Sequence, residues 1–123
     1  MLTGKYNTGD LPAGARFSDY LVNGGDRQKK MARRFVNERT QETTRRLTEI
    51  ANRLSISVTT LAVAWSKQHD FVASTIIGVS QLDQLDENLA AADLVLDDET
   101  MQQIDQIHVD IPLAMTEDGL RYL

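Results

Sequence analysis

The sequence predicts a mainly α-helical chain with one short strand, and three observations carry that expectation. Apolar residues recur at helical spacing in residues 41–54, 82–89 and 101–107. One run, "FVASTII", has the β-branched density of a buried strand. Both prolines and six of the seven glycines lie outside residues 26–111, so apart from Gly78 the middle of the chain carries no breaker. At 123 residues there is room for one ordinary domain.

The elements follow in order. Residues 1–25 read as loop, because 7–25, "NTGDLPAGARFSDYLVNGG", holds four glycines and Pro12 with no sustained period. Residues 26–72 read as helices. Asp26 can cap the first of them, and its firm part runs from Gln41 to Leu54, where Leu47, Ile50, Ala51 and Leu54 share a face. Ser57 caps the next, from Val58 to about Gln68, whose "LAVAW" is apolar nearly all round and predicts burial. Residues 73–77 form the strand. Ser80 opens a helix that aligns Leu82, Leu85 and Leu89, with Asp83 completing a capping box. Asp97 caps a last helix, with Asp98 and Glu99 in its positively polarised first turn and Met101, Ile104 and Ile107 as its inner stripe. The tail, 109–123, has no clear period. A lone strand raises a question, since its amides and carbonyls need partners. Either those partners lie in another molecule or this chain is part of something larger.

Composition sets outer limits. The chain is 41% hydrophobic and 25% charged, as soluble globular proteins are. No apolar run approaches a membrane span and no signal peptide is present, so a cytoplasmic location with no membrane partner is expected. Cysteine is absent, which removes disulfides and thiolate metal sites, and no metal is expected. The net charge of −5 conceals a split: residues 1–69 carry twelve Lys/Arg against six Asp/Glu, and residues 70–123 one against twelve.

The chemistry concentrates at "TIIGVSQLDQLDENL", residues 75–89. A strand, a glycine and a capped helix together make an anion site, because the first helical amides point outward without partners. Gly78 lets a ligand approach the backbone and Ser80 adds a hydroxyl. Gln84, Glu87 and Asn88 share a polar helix face that can hydrogen-bond a purine. The plain alternative is that Ser80 merely caps and the polar face merely meets water.

The order of motifs resembles the aldo-keto reductases. "LTGKY" followed by a Gly/Pro loop and Arg16 is similar to the segment after their seventh barrel strand. "LAVAW" and then "VASTIIGVSQLDQLDENLAAADLVLDDETMQQID" is similar to their last strand and closing helices. The match runs from Leu2 to about Ile107. It implies that 1–123 is the C-terminal third of one (β/α)8 barrel, with 73–77 as its last strand, 78–108 as the cofactor-binding and closing helices and 1–25 following strand seven. Phosphate sites in such barrels are built from the loops after strands seven and eight. The resemblance therefore implies NADP(H) as cofactor. Gly78 and Ser80 would meet its 2′-phosphate end, Gln84, Glu87 and Asn88 its adenosine, and Lys5 and Arg16 would add cationic contacts to its phosphates. Many relatives carry Arg where this chain has Gln81. A neutral amide cannot pair a phosphate dianion as an arginine fork does, so a strong preference over NAD(H) does not follow.

The family reduces aldehydes and ketones by hydride transfer, with a tyrosine, an Asp, a Lys and a His as its tetrad. None of these maps here. Tyr6, Tyr20 and Tyr122 do not occupy the catalytic position, and His69 and His108 are expected at helix ends. No catalytic residue is assigned, and the chain alone is expected to be inactive, with the small carbonyl substrate bound only by the full-length enzyme. Isolated, it should be mostly helical and self-associating, which would cover its apolar faces. Two other readings compete. Residues 47–68 mimic a helix-turn-helix that binds DNA, but their second helix offers no polar face, so no nucleic-acid partner is expected. A helical self-association module, acidic half against basic half, is the other.

Overall fold

The computed structural model describes residues 1–79 and 82–115. Among them are six helices: α1 (Arg16–Val22), α2 (Asp26–Phe35), α3 (Glu38–Arg53), α4 (Val58–Lys67), α5 (Leu82–Leu89) and α6 (Asp98–Asp110). The longest, α3, is fixed at both ends by its own sequence. Asn37 Oδ1 accepts from the Thr40 amide at 3.0 Å, and Thr40 Oγ1 accepts from the Asn37 amide at 3.2 Å. That reciprocal pair satisfies two amides which the helix leaves unbonded. At the other end Ser55 turns left-handed at φ 57°, while the Ile56 amide donates to Ala51 O and the Ser55 amide to Asn52 O. This 6→1 and 5→2 pattern stops α3 and turns Ile56 back onto the core.

The apolar stripe on α3 meets matching stripes on α4 and α6. Leu47, Ile50 and Ala51 pack with Leu61 and Ala64 of α4, Ile104 and Ile107 of α6, and Ala91 and Leu96 between α5 and α6. Ser57 caps α4 by accepting from the Thr60 amide at 3.0 Å. Asp97 caps α6 by accepting from the Thr100 amide at 2.8 Å. Both caps and the inner face of α6 are where the sequence puts them. Beyond the core, Gln68 clasps the backbone of Leu96 twice, donating to its carbonyl at 2.7 Å and accepting from its amide at 2.8 Å. Arg46 pairs with Asp110 at 2.6 Å, tying α3 to the last turn of α6.

Several expectations need correction. Residues 7–25 are not all loop, since α1 forms within them. Its Phe17 ring stacks on Phe35 with centroids 5.0 Å apart, and its Phe17 amide donates to the Tyr6 hydroxyl at 3.2 Å. These are distant partners that no local pattern announces. Asp26 is the first helical residue of α2 rather than its cap, which is Gly25, held by a bond from its amide to Gln28 Oε1 at 3.0 Å. A Cβ at Gly24 would fall 2.4 Å from the Tyr20 carbonyl oxygen, so the turn from α1 to α2 needs glycine there. The strand expected at 73–77 is not formed, and no strand occurs among the described residues. A strand is defined by its ladder, and these residues have no neighbouring strand to bond. Ile76 is accordingly 96% exposed and Phe71 85%. The leucine face of α5 is also largely uncovered, with Leu82 at 83% exposure. Leu54, expected on the α3 stripe, is exposed at its C-cap.

The Asp97 cap predicts a pH dependence. Bonds from the Thr100 side chain and amide hold its carboxyl below the ordinary 3.8. A depressed carboxyl adds stability that is present above the unfolded-state pKa and is lost as pH falls through the folded-state value. Asparagine also caps but carries no charge. In thermal melts, the parent's advantage over Asp97→Asn should therefore be present at neutral pH and vanish in acid.

Candidate functional site

The segment carrying Lys5 is pinned to the first turns of α3. Gln41 Nε2 donates to Tyr6 O at 2.9 Å, and Asn7 Nδ2 returns a bond to Gln41 O at 2.7 Å. Tyr6 is buried beneath, and Lys5 reaches across it with Nζ 5.4 Å from the ring centroid, a cation–π distance. Lys5 lines an open groove between this segment and α3, which Glu42, Arg45 and Glu49 also line. Arg45 is committed to both carboxylates, with Glu42 at 2.7 Å. The bond to Glu42 raises the guanidinium further above its ordinary range, and the same bond lowers the Glu42 carboxyl. Lys5 has no ion pair among the described residues, so it is the cation in this groove still available to an incoming anion. Burial first, and the Lys5 charge second, lower the pKa of the Met1 amine nearby.

Arg16 stands at the start of α1, exposed and without an ion pair among the described residues. It lines a separate hollow with Leu11, Pro12 and Gly14. The structure does not bring it into the Lys5 groove.

Gly78 lies in the exposed stretch before α5. Its φ is not left-handed, and a Cβ built there meets nothing within 4 Å. Neither backbone conformation nor crowding by the described residues calls for glycine at that position. Ser80 and Gln81 lie outside the described residues, as does the Asp83 side chain, so the expected cap of α5 is not described. Gln84, Glu87 and Asn88 do share one face of α5. Asn88 Nδ2 donates to Gln84 O at 2.6 Å, which uses one of its two amide protons. Its Oδ1 and second proton are the groups left for a purine edge. The Glu87 carbonyl accepts from the Thr60 hydroxyl at 2.8 Å, which anchors α5 to α4, while its carboxylate is exposed. No residue of the α5 face lines the Lys5 groove.

Thr60 escaped the sequence reading. Its signal was a polar residue three places after a cap, next to the apolar run Leu61 to Trp65, which requires a partner once buried. The histidines lie at helix ends, as expected. His108 is in the last turn of α6, and His69 follows α4; both rings meet Trp65 edge-on, at 5.5 and 4.6 Å. Tyr6 and Tyr20 belong to the aromatic cluster around Phe17. Among the described residues no group of His, Asp and Glu could hold a metal ion, and no helix is long and apolar enough to cross a membrane.

Comparison with known proteins converges on one family. The profile described as "Aldo/keto reductase family" matches residues 2–109. The chain is 33% identical over 110 residues to Protein tas of Escherichia coli K12, covering 87% of this chain and 28% of that protein. It is 36% identical to a probable voltage-gated potassium channel subunit beta of Oryza sativa subsp. japonica, covering 77% of this chain and 27% of the relative. Against L-glyceraldehyde 3-phosphate reductase of E. coli K12 it is 31% identical, with 86% of this chain and 30% of the relative covered. The chain thus spans less than a third of the length of each of these relatives.

Proposed function

This chain belongs to the aldo/keto reductase family, and from that premise we propose that it forms the NADP(H)-binding part of a reductase for aldehydes or ketones. Family members are oxidoreductases on a (β/α)8 barrel that generally use nicotinamide cofactors. The observation that carries the proposal is the pairing of Gly78 with the polar face of α5. Nothing in the packing of the described residues requires glycine at 78, and a Cβ built there meets none of them within 4 Å. A phosphate approaching the backbone is a physical reason for that space. Gln84, Glu87 and Asn88 follow within reach of an adenosine, with Ser80 between. The resemblance adds Lys5 and Arg16 as positive charge for the remaining phosphates; both are free of ion pairs among the described residues, and each lines a hollow of its own apart from α5. Bound there, the cofactor supplies a hydride to the carbonyl carbon. The residues of this chain hold and orient it, and the acid that protonates the carbonyl oxygen belongs to a part of the barrel outside these 123 residues.

Binding titrations in the full-length enzyme test the site. Asn88→Ala should cost about 1–3 kcal/mol of cofactor binding through lost bonds to adenine. Its helix should survive, since alanine is the better helix former. Gly78→Val should weaken binding more than folding, and Gln81→Arg should shift preference toward NADP(H) by placing a fixed cation at the 2′-phosphate. If Asn88→Ala binds both cofactors like the parent and Gln81→Arg changes neither, the polar face is ordinary surface and the proposal fails.

The helix-turn-helix reading finds no footing in the geometry. None of the residues of α4 is exposed, and a recognition helix must show side chains to base edges.

A further inference from the structure

Two helices outside the residues proposed for the cofactor carry charges of opposite sign, most of which form no ion pair among the described residues. On α2, Arg27, Lys30 and Arg34 fall at i, i+3 and i+7, with Lys29 and Arg33 alongside, opposite the buried Ala32. None of these five cations takes part in an ion pair among the described residues. On α6, Asp98 and Asp105 stand seven residues apart on the face opposite Ile104 and Ile107. Neither carboxylate is ion-paired among the described residues, and residues 70–115 contain no Lys or Arg at all. The two faces also match in pitch. Arg27 to Arg34 and Asp98 to Asp105 are each seven residues, about 10.5 Å along a helix axis. Met31, between Arg27 and Arg34 on α2, is 42% exposed, and Val109, one turn beyond Asp105 on α6, is 71% exposed.

We propose that the cationic face of α2 docks on the acidic face of α6 of a second copy of this chain. The partner is identified by complementarity of sign and spacing, both of which the chain carries itself. Such a contact is heterologous: each copy offers one face of each kind, so copies join head to tail and close into a ring where the rotation allows. The contact involves none of the residues proposed for the cofactor, and it stands or falls separately from that reading.

Sedimentation of the 123-residue chain tests the proposal. Association should be at least about tenfold weaker at about 1 M salt than at about 0.01 M, because the Debye length falls from ~30 to ~3 Å. Arg27→Glu with Arg34→Glu should abolish the salt-sensitive association, and so should Asp98→Lys with Asp105→Lys. Mixed together, the two charge-reversed chains should associate again, since positions 27 and 34 of one regain opposite signs to positions 98 and 105 of the other. That recovery also shows both variants to be folded. Asp98→Asn with Asp105→Asn, which leaves helix propensity nearly unchanged, should weaken association without loss of helical signal. Association that persists or strengthens in high salt, or that ignores all these substitutions, would place the contact on the apolar 71–79 stretch and overturn the proposal. So would a mixture that stays dissociated, or a chain whose α2 cations bind duplex DNA in a salt-dependent way while no self-association occurs.

Discussion

With NADPH and an aldehyde or ketone, the 123-residue chain is expected to show no turnover. A carbonyl oxygen accepts its proton from a group within hydrogen-bond reach, and a positioned acid of this kind contributes about 10²–10⁴-fold. The two tyrosines among the described residues are occupied elsewhere. Tyr6 is buried, with its hydroxyl accepting from the Phe17 amide, and Tyr20 lies against the Phe17 ring. His69 and His108 both meet Trp65, and neither takes part in an ion pair among the described residues. Binding of cofactor without turnover is thus the combined expectation. Turnover by the purified chain, shown to be free of any longer reductase, would contradict it.

Leu61→Ala should cost about 2–5 kcal/mol of stability, the range for deleting a leucine side chain from a close-packed core. Leu61 is 1% exposed and sits in the cluster shared by α3, α4 and α6. Leu82→Ala is the matched control, because Leu82 is 83% exposed and should lose almost nothing. Denaturant unfolding of the two variants compares them directly. Equal losses would mean that the α5 leucines are as buried in solution as those of α4, and that the uncovered face described above is covered in some other way.

The two variants also mark how far the sequence could be read. Leu47, Ile50 and Ala51 on α3 and Ile104 and Ile107 on α6 were legible because helical spacing and burial coincide there. The Ser57 and Asp97 caps were legible because a cap is local chemistry. The aromatic contacts that hold α1 were not, since Phe17 and Phe35 lie eighteen positions apart in sequence and meet only on folding. Nor was the polar side of α3, where Thr40, Thr43 and Thr44 are buried. The Thr44 hydroxyl donates to the Thr40 carbonyl at 2.8 Å, so a residue that hydropathy assigns to water hides its polarity within its own helix. The 73–77 expectation shows the opposite limit. β-Branched density reports a preference for sheet, whereas a strand exists only where a second one bonds to it. At the candidate site, the shared face of Gln84, Glu87 and Asn88 followed from spacing alone. The anchoring of that face through Thr60 did not, because it depends on how α4 and α5 cross.

The Gln68 clasp has one further consequence. Its two bonds join positions 28 apart in sequence, so residues 69–95 leave and return at a single fixed root. Every residue proposed for the cofactor after Arg16 lies inside that excursion. An insertion in its largely exposed 71–79 stretch changes the length of the detour while its ends stay where the clasp holds them, and lengthening such a loop costs only about 0.6 kcal/mol per doubling. The excursion is in effect a cassette: its recognition residues can be rewritten while the α3–α4–α6 core beneath keeps its register.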